Sequence, residues 1–385
     1  MKNNWWVLFP LKGLELTDLE HDLADPLWSD STIISKVHAD TIIRSMKLNQ
    51  AGAHVRDHER DAIYMMDNVT FKEKIHSFIA IKRSGPRLTD VPEELHCDMY
   101  EQTSGDPEKR ASQIAALIEL AVLVTREDWM TCALVDQIHR RTKSVIKLSI
   151  QDSEFGVEMA GPTAARSICN ATDNEKLSRN DLKVRVCSDP IAPLASVLSS
   201  QDCSLGSSLY KAISESAIRL SDALHVTTRA DQLLGSVTAI EIMLTDQPER
   251  FELIKNRIET LIGAPAYEHF KTEMVLKARN SYVHQGINLD DRALVLKSTG
   301  LSLCCLLTYA EAAARFNSKS SFLSYLDFIR LGQKTASDWT DSDRTAFTTF
   351  LKHKPGHYQF PFFKSAQSSE KKKPSEGSKT NKAEP

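Results

Sequence analysis

The chain has 385 residues, 41% hydrophobic and 26% charged, an ordinary globular composition with room for two or three domains. Its formal charge of -3 excludes a globally basic nucleic-acid coat, although a local basic face would not register in that sum. The seven cysteines are odd in number and form no C-x-x-C pair, so neither a disulfide framework nor a zinc site is indicated, and a reducing cytoplasm is the expected location.

Glycine, at 14 residues, stands at about half its usual frequency, and long stretches rich in Ala, Leu, Ile, Glu and Lys predict a mainly helical protein. Residues 1–30 carry no basic region followed by an apolar core and a small-residue cleavage site, so no secretion signal is expected. Trp5-Trp6-Val7-Leu8-Phe9-Pro10 reads as a first, buried strand. Further strand-like runs occur at Ser31–Ser35, Ser77–Ile81 and Val145–Ile150. Asp106-Pro107 supplies an N-cap and a first-turn proline for a helix to about Val124, whose stripe is Ile114, Leu117, Ile118, Ala121 and Val122. Residues 1–160 therefore read as an α+β domain, expected to sense a trigger or restrain an activity carried by the rest of the chain.

From 161 to 202 the text turns polar and broken, with Thr172-Asp173-Asn174, Ser188-Asp189-Pro190 and Ser199-Ser200-Gln201-Asp202, the composition of a domain junction. Residues 203–332 then give helical segments at about 207–226, 229–245, 248–262, 266–284 and 290–316. Pro248, Gly263 and Ala264-Pro265 punctuate them. The stripes Phe251, Ile254, Ile258, Leu261 and Phe270, Met274, Ala278 predict an all-α antiparallel bundle joined by short loops. Leu301–Tyr309 is the most apolar run; too short to span a bilayer and soon followed by Glu311 and Arg315, it reads as a buried helix, and no membrane contact is expected. An extension at 333–364 holds a short helical segment opening at Asp341-Ser342-Asp343 and an aromatic cluster at His357–Phe363. Residues 365–385 have the composition of a disordered tail, in which Lys371–Lys373 reads as solvated charge rather than an RNA contact.

Chemistry concentrates at Arg279-Asn280-Ser281-Tyr282-Val283-His284, followed by Gln285 and a helix-stopping Gly286. A permanently charged guanidinium beside the one side chain that exchanges a proton near neutral pH suits phosphodiester cleavage without a metal or other cofactor. If the helix persists to His284, Asn280 and His284 share a face at i,i+4 while Arg279 lies about 140° from His284. Local unwinding or a second subunit would be needed to bring all three together. On spacing alone, surface charge or a histidine facing the helix C-terminus is the commoner explanation of the pair, by roughly nine to one.

The run Ala278–Gly286 resembles the signature of the HEPN superfamily, an arginine, a polar residue and then a histidine four to six positions after the arginine. Asp231-Gln232-Leu233-Leu234, Thr238–Leu244 and Arg257 resemble the preceding helices of its Apea-like branch, so the resemblance covers about residues 207–316. It implies a helical bundle that homodimerises so that two motifs meet in one cleft, and metal-independent cleavage of RNA to a 2′,3′-cyclic phosphate, often in toxin or antiviral defence systems. Carried over by position, Arg279 and His284 are the catalytic pair and Asn280 orients phosphate or histidine; Glu241, Tyr282 and Arg257 are candidate supports. An ion pair of Glu241 with Arg257 or Arg279 that merely holds the helices together is an equal reading of Glu241. Some members keep the fold and bind nucleotides or partners without cutting, which leaves a non-catalytic dimerisation module as the alternative.

Other constellations are weaker. His54 and His58 have helical metal-pair spacing, but Val55 stands where a zinc protease has glutamate, and the charged surroundings read as a solvated helix. His96-Cys97-Asp98 lacks a second ligand pair, and His139-Arg140-Arg141 is as well explained by a loop as by RNA contact. No metal site is expected. There is no P-loop, G-x-G-x-x-G or G-x-S-x-G, which disfavours the usual nucleotide hydrolases.

Overall fold

The computed structural model describes residues 3–12, 14–17, 31–35, 77–85, 96–125, 144–151, 157–164, 166–167, 175–199, 207–226, 228–246, 251–286 and 291–331. The His54/His58 helix, His139–Arg141, the segment opening at Asp341, the aromatic cluster at 357–363 and the Lys-rich tail lie outside the described residues. Within them the protein is mostly helical, with a minority of strands.

Strand β1 (Asn3–Lys12) lies at the centre of the main sheet, antiparallel to both β4 (Ser77–Gly85) and β5 (Ser144–Gln151). Strand β3 (Ser31–Ser35) and β6 (Val157–Ala164) extend the order to β3-β4-β1-β5-β6, and β7 (Arg166–Ser167) pairs in parallel with the end of β1. A second ribbon joins β2 (Leu14–Leu16) to β8 (Glu175–Leu177). The predicted strands at 31–35, 77–81 and 145–150 all form. In β4 the run Phe78, Ile79, Ala80 and Ile81 is buried on both faces, as its continuous apolar character requires.

Helix α1 (His96–Val124) starts ten residues before the predicted N-cap at Asp106, so Pro107 falls inside it. The early turns are polar, and nothing in their periodicity marks them. From Ile114 to Val124 every side chain is buried, because the helix packs against β1 and β4 on one side and against helices on the other. One hydrophobic core therefore runs from Phe9 and Ile79 through α1 into the helical body.

The polar segment read as a junction contains two short helices, α2 (Arg179–Val186) and α3 (Ala192–Ser199). A capping box starts α2: Ser178 Oγ accepts from the Asp181 amide, and the Asp181 carboxylate accepts from the Ser178 amide. The Ser178 hydroxyl also donates to that carboxylate at 2.7 Å, and this bond, with the one from the Ser178 amide, holds the Asp181 carboxyl below its ordinary value.

Five long helices follow: α4 (Ser207–Leu224), α5 (Arg229–Leu244), α6 (Phe251–Ile262), α8 (Thr272–Gln285) and α9 (Arg292–Ala313). The short α7 (Ala264–His269) lies between α6 and α8, and α10 (Lys319–Leu331) closes the described chain. The predicted single helix at 266–284 is thus broken: Lys271 adopts φ 51° in the left-handed region and separates α7 from α8. No glycine or proline marks that break. The run Leu301–Tyr309 is wholly buried in α9, which is long and apolar enough to cross a membrane but is mostly covered by protein.

Small residues bring α4, α5 and α9 close together. Ser216 Oγ donates to the Ala239 carbonyl at 2.6 Å, and Ser302 Oγ donates to the Ser236 carbonyl, so α5 is tied to a neighbour on each side. A Cβ added at Gly235 would stand 2.7 Å from the Ala223 Cβ, inside any normal contact. Gly235→Ala is therefore expected to lower stability despite a helix-propensity gain of about 0.5–1 kcal/mol, because overpacking costs about 1–3 kcal/mol. A rise in the denaturation midpoint would contradict it.

A buried polar seam docks α1 on this body. Gln113 Nε2 donates to Ser214 Oγ at 2.6 Å and to Tyr210 Oη at 3.1 Å, and Arg110 donates to the carbonyls of Leu198 and Ser199 at the end of α3. Farther along, Ser221 Oγ donates to Glu119, whose other oxygen lies 2.5 Å from His225 Nε2, a close contact with poor hydrogen-bond alignment.

Candidate functional site

The candidate motif occupies the last two turns of α8. The helix is anchored through Val275, Leu276 and Ala278, which are buried, and it ends where Gly286 takes φ 64° and donates its N–H to the Tyr282 carbonyl at 3.1 Å. A side chain at 286 would meet open space, so the glycine is required by its backbone conformation alone. At the opposite end, Glu273 pairs with Lys255 of α6, which pushes the lysine ammonium up and the Glu273 carboxyl down from their ordinary values.

Because α8 stays helical through Gln285, it points its functional groups in two directions. On the inward side, Arg279 faces α5: its Nη2 lies 2.9 Å from each carboxylate oxygen of Glu241. Its Nη1 donates to Asn280 Oδ1 at 3.1 Å, while its Nε is buried without a partner. Tyr282 also faces α5, donating its hydroxyl to Asp231 Oδ1 at 3.1 Å. That bond, with the charge of the same carboxylate, raises the Tyr282 phenol above its ordinary value. Asp231 is held in turn by Thr228, the N-cap of α5, whose hydroxyl donates to Oδ2 at 2.6 Å.

On the outward side His284 is exposed, together with Lys277 one face-repeat earlier. Asn280 and His284 lie within about 40° of each other around the helix, whereas Arg279 stands about 140° from His284. The chain therefore brings Arg279, Asn280 and Glu241 together, and it leaves His284 apart from Arg279.

Arg257 is committed elsewhere. Its Nε and Nη2 donate to the two oxygens of Asp327 in α10 at 2.9 and 2.8 Å, and its Nη1 donates to the Leu244 carbonyl at the end of α5 at 2.6 Å. Of the two partners considered for Glu241, the structure selects Arg279. Sequence reasoning missed Asp231 as the acceptor for Tyr282. The Thr228-x-x-Asp231 capping pattern was the available sign, but it announces a helix start rather than a cross-helix bond.

No group of three or more His, Cys, Asp or Glu side chains among the described residues is placed to hold a metal ion. No family model, curated protein or solved structure matches the chain, so the likeness of Ala278–Gly286 to the HEPN signature rests on the residues that carry it.

Proposed function

We propose that the chain is a metal-independent endoribonuclease of HEPN type, working as a homodimer and suited to a toxin or antiviral defence role. The observation that carries this reading is the presence, at one helix end, of an exposed His284 and of a guanidinium that Asn280 contacts through the 3.1 Å bond. In the proposed step the imidazole accepts the proton of a ribose 2′-hydroxyl, the 2′-oxygen attacks phosphorus, and the 5′-oxygen leaves with a proton returned by an imidazole. Arg279 neutralises charge developing on the phosphorane oxygens, and the products are a 2′,3′-cyclic phosphate and a 5′-hydroxyl. A straight α8 separates the two groups by about 140°, so the reading requires the His284 of one protomer to work with the Arg279 of another.

The test is incubation of the full chain with total RNA in EDTA beside His284→Ala. Loss of cleavage by about 10²–10⁴-fold in the variant is the expected result. Equal cleavage by both proteins, or inactivity of a folded, dimeric wild type, would sink the reading.

A second reading, a non-catalytic dimerisation module that binds nucleotides or a protein partner, has one observation in its favour. Arg279 is directed inward and already neutralised by Glu241, as a structural ion pair would be.

A further inference from the structure

The ion pair that favours the second reading also has the properties of a reversible one. The protein contains a direct comparison in Arg257 and Asp327. That pair is joined side-on, one oxygen to Nε and the other to Nη2, with the arginine side chain only 5% exposed. Arg279 and Glu241 instead meet through a single nitrogen, Nη2, with side chains 22% and 25% exposed, and Arg279 Nε is left buried without an acceptor. An unpartnered buried N–H is a cost that an oxyanion lying across Nε and Nη2 would remove.

The two contacts of Arg279 also differ in kind. Among the described residues the Glu241 carboxylate has no other donor, so it can turn to solvent without breaking a second bond. Asn280 is the next residue on α8, and its Oδ1 keeps hold of Nη1 when Glu241 leaves. The guanidinium is thus anchored by a neutral amide and occupied by a displaceable carboxylate.

We propose that Glu241 is a built-in competitor for phosphate at Arg279: in the resting chain its carboxylate holds the position that a phosphodiester of single-stranded RNA takes on binding. This rests on the ribonuclease reading for the identity of the ligand, and it adds the step by which the site opens. Glu241 then acts against binding, whereas a merely supporting residue would act for it.

The test uses the full chain and a fluorescent single-stranded RNA carrying 2′-O-methyl groups throughout, which binds but offers no 2′-hydroxyl nucleophile. Anisotropy titrations at several salt concentrations compare wild type, Glu241→Gln, Arg279→Ala and the double variant. Glu241→Gln is expected to bind about fivefold more tightly, the upper range for releasing a partly exposed pair. Its plot of log affinity against log salt should keep the wild-type slope, because the same phosphate contact forms once Glu241 has left, whereas Arg279→Ala should flatten the slope by about 0.7, the contribution of one lost contact to a single strand. The gain in affinity should vanish in Glu241→Gln/Arg279→Ala.

Unchanged or weaker binding by a folded Glu241→Gln overturns the proposal. If that variant does not fold, Glu241→Asp, which keeps the charge on an arm one methylene shorter, must show a smaller gain in the same direction, and its failure to do so overturns the proposal equally. Cleavage of unmodified RNA separates the two ideas. Active enzyme without the binding gain removes the competitor alone, and a binding gain without any cleavage removes the ribonuclease reading alone.

Discussion

Arg257→Leu is expected to destabilise the protein by about 3–5 kcal/mol, the cost of breaking a buried ion pair by removing one partner. Asp327, itself 9% exposed, would keep a charge in a site closed to water, and the Leu244 carbonyl would lose its donor at the C-terminus of α5. Three helices meet at this guanidinium: α6 carries it, α5 ends on it and α10 is held by it. Arg257→Leu/Asp327→Leu should recover most of the loss, because an apolar pair leaves no charge stranded. Urea denaturation of the three proteins checks this. A single variant within about 1 kcal/mol of wild type, or a double variant no better than the single, contradicts the assignment. If the chain cleaves RNA as proposed, cleavage measured below the melting temperature separates structure from chemistry: Arg257 is bonded to Asp327 and to the Leu244 carbonyl, so catalysis per folded molecule is expected to survive its loss.

The candidate residues on α8 and the angle between them can be read in the sequence, and the groups they meet cannot. Position 279 follows Val275 by four residues and belongs to the buried side of α8, so the helical period already turns Arg279 away from His284. What the period cannot supply is the identity of the group it meets there. Glu241 lies 38 positions earlier, and only the packing of α8 on α5 decides that it receives Arg279 while Arg257 goes to Asp327. The fold divides in the same way. Strand β3 is read correctly at both ends because Ser-Thr-Ile-Ile-Ser is short, β-rich and alternately flanked by polar text. The break at Lys271 leaves no sign, since a lysine has no preference of its own for the left-handed region it adopts there. Helix α2 is hidden for a different reason: only Leu182 and Val186 are buried in it, too few to establish a period.

A chain beginning at Glu175, and so lacking the strands β1–β7 and α1, is expected to lose cooperative unfolding altogether. Seven large aliphatic side chains of α1, Ile114, Leu117, Ile118, Leu120, Val122, Leu123 and Val124, are each no more than 4% exposed. At about 1.5–3 kcal/mol apiece their burial is worth roughly 10–20 kcal/mol, as large as the whole net stability of about 5–15 kcal/mol typical of a folded domain. The surface uncovered on α4 is also ill suited to water-free repacking. Ser214 and Ser221 would lose the Gln113 and Glu119 partners that satisfy them, His225 would lose the carboxylate beside it, and α3 would lose the Arg110 cap on its last carbonyls. Retained far-ultraviolet helicity with a flattened near-ultraviolet spectrum and strong binding of an apolar dye is the expected signature. A sharp denaturation transition and a native near-ultraviolet spectrum from chain 175–385 would show that the helical body folds without α1. The same reasoning fixes how the expected regulatory role of residues 1–160 can be tested. Activity lost on deleting them reports the loss of α1 from the core, so regulation has to be sought with substitutions in the sheet that leave Ile114–Val124 in place.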